Sequence, residues 1–309
     1  MIDRLIENIQ KKNNPSVVGL DPTIAMMPEG LKKKYFEEYG ETAEGIAAMF
    51  EEFNRNIIDA VADIVPAVKP QIAMYEKFGE SGIRAYNRTC RYAAEKGLTV
   101  IGDIKRGDIS STAAAYAAHL DGAETGSRRE ATWWEDSVTV NPYLGTDGIK
   151  PFTDACAAAG KGIFVLVRTS NPSSSEIQML ELADGRKVYE AVGELTAEWG
   201  SSLIGKFGYS EVGAVVGATH KEEGERLRAA LPHTFFLVPG YGAQGGTAED
   251  VAGFFDARGL GAIISSSRGI TAAYRKMEGC GEENYADAAA AAAAEMRDTL
   301  RAALARRTE

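Results

Sequence analysis

Short apolar runs that end in polar, glycine or proline residues recur along this chain, and such runs predict buried β-strands. Helical patterns lie between them; apolar residues at spacings of three and four from Ile46 to Val61, for example, predict a helix that buries one face. The predicted strands are Val17–Asp21, Ala67–Gln71, Thr99–Asp103, Ser137–Asn141, Gly162–Arg168, Gly213–Gly217, Thr234–Pro239 and Gly261–Ser265.

Strands that alternate with helices pair in parallel, and eight such units predict a closed (β/α)8 barrel, or TIM barrel. An open doubly wound sheet is the alternative, but no GxGxxG motif follows the first strand, as a dinucleotide-binding sheet would require. No Pro/Ser-rich linker divides the chain. We therefore expect residues 1–309 to form a single barrel domain, with insertions at about 22–66 and 120–136.

Polar residues follow most of the predicted strands, at the barrel end where function is expected. The segment from Asp103 to Asp108 reads Asp-Ile-Lys-Arg-Gly-Asp and brings three charges to one strand-to-helix junction. Because strand side chains alternate with period two, Asp103 and Lys105 are expected to point the same way. The residues expected in this polar mouth are Asp21, Lys69, Asp103, Lys105, Asn141, Arg168, Ser170, Gln244 and Arg268.

The loop after the seventh strand, Pro239–Gly246, contains four glycines and precedes a helix capped by Thr247. Glycine lets the backbone approach an anion closely, and the helix would add the positive end of its dipole. Arg268, after the eighth strand, can grip phosphate oxygens with two donors. Since loops seven and eight are the usual phosphate site of this barrel, we expect a phosphate there. A plain connecting turn is the alternative.

Lys69 lies on a strand that should be buried, so it needs an acidic partner, and Asp21, Asp103 and Asp108 are the candidates. For any one of these residues alone, a structural salt bridge is the simpler interpretation. Two lysines and three aspartates on adjacent strand ends instead favour a functional cluster. Asp108 also has an alternative role as the N-cap of the following helix.

The composition limits the classes of partner. A formal net charge of −10 argues against nucleic acid and against an anionic membrane surface. No apolar run approaches the roughly 20 residues that cross a bilayer. The three cysteines are far apart and outside any CxxC spacing, so neither a disulfide framework nor a zinc site is expected, and the cytoplasm is the expected compartment.

Other conspicuous residues have structural interpretations. The three histidines lack metal-ligand spacing, and only His220, after the sixth strand, could reach the mouth, whereas a packing or surface role is expected for His119. Trp133 and Trp134 are expected to anchor the second insertion rather than cover the site. The alanine run 288–294 predicts a packing helix.

The segment Asp103-Ile-Lys-Arg-Gly-Asp-Ile-Ser-Ser-Thr112 resembles the D-x-K-x-x-D-I-x-x-T signature of orotidine 5′-phosphate decarboxylase. The length and insertions resemble the longer bacterial subgroup of that family, type 2. Five more fragments resemble the family in the same order: Gly19-Leu-Asp21, Val68-Lys-Pro-Gln71, Arg168-Thr-Ser-Asn-Pro172, Pro239-Gly-Tyr-Gly-Ala-Gln-Gly-Gly246 and Ser267-Arg268-Gly269.

The resemblance implies loss of CO2 from C6 of orotidine 5′-monophosphate to give UMP, without a metal or an organic cofactor. Lys105 would stabilise the carbanion at C6 and donate the proton that replaces the carboxylate. Asp103 would face the substrate carboxylate, and Lys69 and Asp108 would complete an alternating Lys-Asp-Lys-Asp array.

The resemblance also implies a homodimer with shared active sites, in which Asp108, Ile109 and Thr112 serve the neighbouring subunit. Thr112 would contact the ribose there. Within one subunit, Asp21 would bind the ribose with Lys69, Ser170 would hold the pyrimidine, Gln244 and Arg268 would bind the phosphate, and Pro239 would line the pocket.

Three other functions are alternatives to decarboxylation of orotidine 5′-monophosphate for this set of residues. A magnesium-dependent sugar-phosphate decarboxylase or aldolase of the same superfamily would carry an acidic residue where this chain has Lys69. A Schiff-base aldolase would need an uncharged lysine, whereas the flanking aspartates favour the charged form. A non-catalytic binder of nucleotide phosphates would keep loops seven and eight but would not need all four charges of the array.

Overall fold

Eight parallel strands close into a barrel in the computed structural model, which describes residues 1–307. Each strand pairs with its neighbours in the chain, and β1 closes the barrel against β8. All eight predicted strands are confirmed, and so is the TIM barrel. The strands are β1 Ser16–Leu20, β2 Ala67–Pro70, β3 Thr99–Arg106, β4 Ser137–Val140, β5 Gly162–Arg168, β6 Val212–Val216, β7 Phe236–Val238 and β8 Ala262–Ser266.

Helices precede, connect and follow the strands, and a small antiparallel hairpin pairs Ala123–Glu124 with Arg129–Glu130. The predicted helix Ile46–Val61 lies within α3, and the alanine run lies within α13. The α-helices are α1 Ile2–Lys12, α2 Glu29–Tyr39, α3 Ala43–Val61, α4 Ala73–Glu76, α5 Gly79–Glu95, α6 Ser110–Asp121, α7 Thr146–Ala159, α8 Ser175–Gln178, α9 Val188–Trp199, α10 Lys221–Ala230, α11 Ala248–Ala252, α12 Arg268–Thr271 and α13 Tyr285–Arg307.

Helix α3 belongs to the ring around the barrel. Its N-cap is Thr42, whose hydroxyl accepts a hydrogen bond from the Gly45 N–H, and its apolar face packs against α5 and α13. Phe53 stacks on Tyr285 of α13 with ring centroids 4.9 Å apart, which joins the first and last parts of the ring. Within residues 22–66, α3 therefore occupies the usual place between β1 and β2, and α2 packs on its outer side.

The inward-facing side chains of the strands form layers, and α1 closes the lower end. Leu5 and Ile6 of α1 are fully buried against an apolar layer inside the barrel. Two residues further along β2 and β3, the next inward positions are Lys69 and Asp103, because side chains alternate along a strand. The amino end of the barrel is thus filled, and polar groups collect at its carboxyl end. The apolar layer contains Val17, Ala67, Ile101, Phe164, Val215, Phe235, Leu237 and Ile263.

The end of the second insertion, residues 120–136, packs behind β3. Trp133 stacks on His119 with ring centroids 4.0 Å apart. Glu135, which is fully buried, accepts a hydrogen bond of 2.9 Å from the Tyr86 hydroxyl, and His119 Nδ1 lies 2.9 Å from the same carboxylate oxygen. This arrangement agrees with an anchoring role for Trp133 and a packing role for His119.

Two further findings concern the described part of the chain. Cys90, Cys156 and Cys280 are free thiols, and the first two are buried. Among residues 1–307, we find no helix with both the length and the apolar character that crossing a membrane requires. The described helices instead place apolar residues such as Phe50 and Ile57 against the rest of the fold.

We expect Ile6→Ala to lower the free energy of unfolding by about 2 to 5 kcal/mol, because it removes buried methylene groups beneath the barrel and leaves a cavity. Gln10 lies on the exposed face of the same helix, so Gln10→Ala should change stability by less than about 0.5 kcal/mol. Urea denaturation of both variants measures the difference. Equal effects would show that α1 does not close the barrel.

Candidate active site

A cavity of about 510 Å³ opens at the carboxyl end of the barrel. It falls within the range of roughly 300–1,000 Å³ that is typical of small-molecule sites. Predicted site residues from the ends of β1, β2, β3, β5, β7 and β8 meet in its wall. They are Asp21, Lys69, Asp103, Lys105, Ser170, Pro239, Gln244 and Arg268.

Asp103 lies at the centre of the charges in this cavity. Its Oδ2 accepts a hydrogen bond of 2.7 Å from Lys69 Nζ, and its Oδ1 accepts one of 2.5 Å from Lys105 Nζ. The Thr139 hydroxyl donates a third, of 3.0 Å, to Oδ1. Asp103 and Lys69 are 6% and 5% exposed, so each charge depends on the other for compensation. The Lys105 side chain is 45% exposed, which leaves its ammonium accessible from the cavity.

The two buried charges hold each other ionised. Burial alone would raise the pKa of Asp103, but attraction to Lys69 and Lys105 and their hydrogen bonds outweigh burial and set this pKa far below its usual value. Burial likewise opposes the charge on Lys69, and attraction to Asp103 and Asp21 outweighs it and raises the pKa of Lys69. Lys69 and Asp103 therefore form an ion pair at neutral pH.

The end of β3 around Lys105 is irregular. The register between β3 and β4 pairs Gly102 with Val138 and then Arg106 with Val140, so β3 bulges between these points. Within the bulge, Lys105 adopts a left-handed backbone conformation with φ of 45°. Lys105 and Asp103 nevertheless point the same way, as the sequence predicted, because the two side chains bond each other in the cavity. Bulges of this kind are known to redirect side chains beside active sites.

Asp21 offers a polar atom without a partner. Its carboxylate contributes to the charge balance of Lys69, and its Oδ1 is buried with no hydrogen-bond partner among the described residues. A buried polar atom without a partner is costly, unless a ligand supplies one. A ligand hydroxyl group would satisfy this oxygen.

Ser170 fits closely between the ends of β6 and β7. A Cβ atom at Gly217 would lie 2.8 Å from the Cα of Ser170, so a larger residue would push the β5 loop away. Gly240 has a φ of 96°, and a Cβ there would lie 3.0 Å from Gln244 Oε1. Glycine at these two positions thus allows Ser170 to lie beside the β7 loop.

Gln244 and Arg268 are exposed at the edge of the cavity. Within residues 1–307, neither side chain forms a hydrogen bond or an ion pair, so both can bind an anion. Together with Lys69 and Lys105, Arg268 gives the cavity more positive than negative charges, since Asp21 and Asp103 are the acidic residues in its wall. This balance suits an anionic ligand with a phosphate group.

The structure of α11 gives little support to the expected contribution of its helix dipole to anion binding. Thr247 does cap α11: its hydroxyl accepts a hydrogen bond from the Asp250 N–H, and the Asp250 carboxylate accepts one from the Thr247 N–H. However, α11 has only five residues, and the Asp250 carboxylate already occupies its positive end. An anion here would depend on the loop and on Arg268.

Asp108, Ile109 and Thr112 do not line this cavity. Asp108 Oδ1 accepts a hydrogen bond from the Ile109 N–H, and α6 begins at Ser110 with Ile109 as its N-cap. Asp108 is therefore not the N-cap of this helix. Ile109 and Thr112 are exposed to solvent.

The expectation that Asn141 and Arg168 belong to the mouth is wrong, since neither lines the cavity, and His220, the histidine that could have reached it, does not line it either. Arg168 is buried, and the register between β5 and β6 shifts between Leu166 and Arg168. Arg168 Nη2 instead lies 3.2 Å from His220 Nδ1. Burial and the neighbouring Arg168 lower the pKa of His220, which keeps its Nδ1 available as an acceptor. The contact between Arg168 and His220 stabilises the loop after β5.

Sequence reasoning missed several residues that line the cavity. Thr139 lies two positions before Asn141 in an apolar strand, and this polar position on the inward face was an available signal. Four more polar or aromatic residues lie in the loops after β5 and β7 or at the end of the short helix α8, where strand periodicity carries no information. They are Thr169, Asn171, Gln178 and Tyr241.

Comparisons with known proteins agree on one family. The model of the orotidine 5′-phosphate decarboxylase / HUMPS family matches residues 16–280. A Clostridium perfringens protein named orotidine 5′-phosphate decarboxylase is 44% identical over 303 residues, or 98% of each chain. A Caldicellulosiruptor saccharolyticus protein of that name is 44% identical over 274 residues, covering 88% of this chain and 90% of the relative. The solved structure of Leishmania donovani OMP decarboxylase has a TM-score of 0.74 and 30% identity, with 98% of both chains covered.

We expect Asp103→Asn to lower the free energy of unfolding by about 3 to 5 kcal/mol at neutral pH, because Lys69 then stays buried without its main counter-charge. The pKa of Asp103 is lower in the folded than in the unfolded chain. Its contribution is therefore complete above the unfolded pKa and is lost as the pH falls toward the folded pKa. The stability gap between the two proteins should stay constant from pH 7 to 5 and narrow below about pH 4.

Chemical denaturation across this pH series measures the gap. Asp154→Asn, at an exposed aspartate on α7, is the control and should show a small gap at every pH. A gap for Asp103→Asn that stays unchanged down to pH 3 would contradict the account of Asp103 as a strongly stabilised carboxylate.

Proposed function

The chain belongs to the orotidine 5′-phosphate decarboxylase family, and we propose that its barrel mouth converts orotidine 5′-monophosphate (OMP) to UMP and CO2 with Lys105 as the proton donor. This reaction is the last step of de novo pyrimidine synthesis. The observation that carries the proposal is the buried Asp103 carboxylate, which binds the ammonium groups of both Lys69 and Lys105 at the wall of the cavity.

The difficulty of the reaction is the charge left on the substrate. When the bond between C6 and the carboxylate carbon breaks, its electron pair stays on C6, and no conjugated group can accept it. In the proposal, the Lys105 ammonium lies beside C6, stabilises this charge and then transfers a proton to it. One charge pair at about 4 Å is worth roughly 4 kcal/mol at an effective dielectric constant of 20. Charges fixed in advance, as here, avoid the cost of reorganisation.

Asp103 has two roles in this proposal. Its carboxylate holds the Lys105 ammonium in place, as the distance of 2.5 Å indicates. It also faces the carboxylate of the substrate, so that repulsion between the two is relieved as neutral CO2 leaves. The low pKa of Asp103 supports both roles, because the carboxylate stays ionised at neutral pH.

The remaining mouth residues are assigned to parts of the nucleotide. The free Oδ1 of Asp21, together with Lys69, is proposed to bind the ribose. Ser170 would hold the pyrimidine from the β5 loop. The unpaired side chains of Gln244 and Arg268 would bind the phosphate, with Pro239 in the wall between them. Phosphate binding far from C6 would supply the energy that orders the surrounding loops.

We also propose a cytoplasmic homodimer that completes the site. The Asp108 carboxylate forms no ion pair within residues 1–307, although it directly follows β3. Large apolar side chains are exposed nearby: Tyr143 at 84%, together with Ile109 and Leu144. A groove between α6 and α7 on this face is lined by alanines and by charged residues, among them Ala114, Asp147 and Lys150. A second subunit on this face would cover these groups and receive Asp108, Ile109 and Thr112 in its own mouth.

The competing enzymatic functions fit this site less well. Lys69 stands at the end of β2, where the magnesium-dependent relatives carry an acidic residue. A Schiff-base aldolase needs a neutral lysine, but Asp103 pairs with both lysines and favours their charged forms. A non-catalytic nucleotide binder would retain Gln244 and Arg268 and would show no turnover, so a rate measurement separates it from the proposal.

Purified protein should decarboxylate OMP in excess EDTA, followed by the change in ultraviolet absorbance. Lys105→Ala should reduce turnover by at least about 10³-fold, because it removes both the charge beside C6 and the proton donor. Its affinity for UMP should stay within a few-fold of the unaltered protein. Lys33→Ala, at an exposed lysine of α2, is the control and should change neither quantity. Turnover only after magnesium is restored would overturn the proposal.

Mixing two inactive variants tests the shared site. Dimers that combine Asp108→Ala with Lys105→Ala subunits contain one intact array, so random exchange should restore roughly one quarter of the sites. Combining Asp103→Ala with Lys105→Ala is the matched control, because both lesions then affect sites built by one subunit, and no activity should return. Recovery in neither mixture would argue against Asp108 acting in the neighbouring subunit.

A further inference from the structure

Thr139 makes hydrogen bonds with both residues at the centre of the charge cluster. Its hydroxyl accepts a bond of 2.9 Å from the backbone N–H of Lys105 and donates one of 3.0 Å to Asp103 Oδ1. The side chain is 1% exposed, so water cannot readily replace either bond. Thr139 thus contacts the backbone of Lys105 and the carboxylate of Asp103 at the same time.

The bulge in β3 explains why the Lys105 N–H needs this acceptor. Between Gly102 and Arg106, β3 leaves its regular pairing with β4, so the ladder between the two strands is interrupted at Lys105. The N–H of Lys105 turns to the Thr139 side chain instead of a backbone carbonyl. The left-handed conformation of Lys105, with φ of 45°, is unfavourable for a residue with a side chain and persists only where its surroundings fix it.

We propose that Thr139 is a positioning residue, whose hydroxyl holds the Lys105 backbone and the Asp103 carboxylate in the arrangement that proton transfer to C6 requires. This inference rests on the proposed function. Thr139 acts through these two residues and not on the substrate itself.

The hydroxyl matters most when the proton moves. Once Lys105 has given its proton to C6, the resulting amine is neutral, and Asp103 loses the charge on one of its partners. The Thr139 bond to Oδ1 is independent of that charge and persists, as does the bond from Lys69 to Oδ2. The carboxylate therefore keeps its orientation, and Lys105 keeps its backbone position, until the amine is reprotonated from solvent.

The test compares Thr139→Val with Thr139→Ser. Valine keeps the shape of threonine but has no hydroxyl, whereas serine keeps the hydroxyl and loses a methyl group. We expect Thr139→Val to lower kcat by about 10- to 100-fold, the usual range for a hydrogen bond to a charged group, and Thr139→Ser to stay within about threefold of the unaltered protein. The dissociation constant of UMP, measured calorimetrically, should change by less than about threefold in both.

Thr99→Val is the matched control. Thr99 is a fully buried threonine at the start of β3, and its hydroxyl accepts a hydrogen bond from Asn8 at the opposite end of the barrel. Its loss should lower stability without lowering kcat. If Thr139→Val does not fold, Thr139→Cys compared with Thr139→Ser replaces it, since a thiol is a weak donor of similar shape.

The outcomes separate this inference from the proposed function. Unaltered protein without OMP turnover would overturn both. If the unaltered protein is active, three results overturn the role of Thr139 alone: an unchanged kcat in Thr139→Val, an equal loss in Thr99→Val, or no recovery in Thr139→Ser. A loss of kcat that serine restores, with UMP affinity preserved, supports it.

Discussion

The contact between one buried carboxylate and two ammonium groups determines how the rest of the mouth is arranged. Asp103 and Lys69 can remain charged inside the barrel only because they lie on adjacent strands, with Gln71, directly after β2, opposite Asp103 of β3. The apolar layer and α1 beneath them exclude water from the lower barrel. The pair thus needs the closed barrel, and it gives the cavity a fixed field whose accessible end is the ammonium of Lys105.

A local departure from regular structure makes this field useful for chemistry. Alternation places Lys105 on the same face of β3 as Asp103, two residues earlier. The bulge and the left-handed φ interrupt the ladder at this point, and the Lys105 side chain binds Asp103 while it stays half exposed. The strain is compensated by fixed neighbours, among them the Thr139 hydroxyl. A reactive group held in this way is oriented before the substrate arrives, which is the usual source of electrostatic catalysis.

The sequence predicted what depends on periodicity and on neighbouring strands. The eight apolar runs predicted the barrel, and Lys69 and Asp103 meet because adjacent parallel strands end together. Bulges could not be predicted, since they depend on register between distant segments. Periodicity correctly placed Asp103 and Lys105 on the same side of β3, but it wrongly placed Arg168 in the mouth. Thr139 was overlooked because its importance comes from the bulge opposite it.

Chemical rescue of Lys105→Ala by small amines tests most directly whether Lys105 provides both a charge and a proton. Removal of the side chain leaves space beside the Asp103 carboxylate for an alkylammonium ion. We predict that turnover of OMP rises with methylammonium concentration and saturates, whereas tetramethylammonium, which has the charge but no N–H, restores little. Equal rescue by both ions, or nearly full turnover without either, would contradict the account.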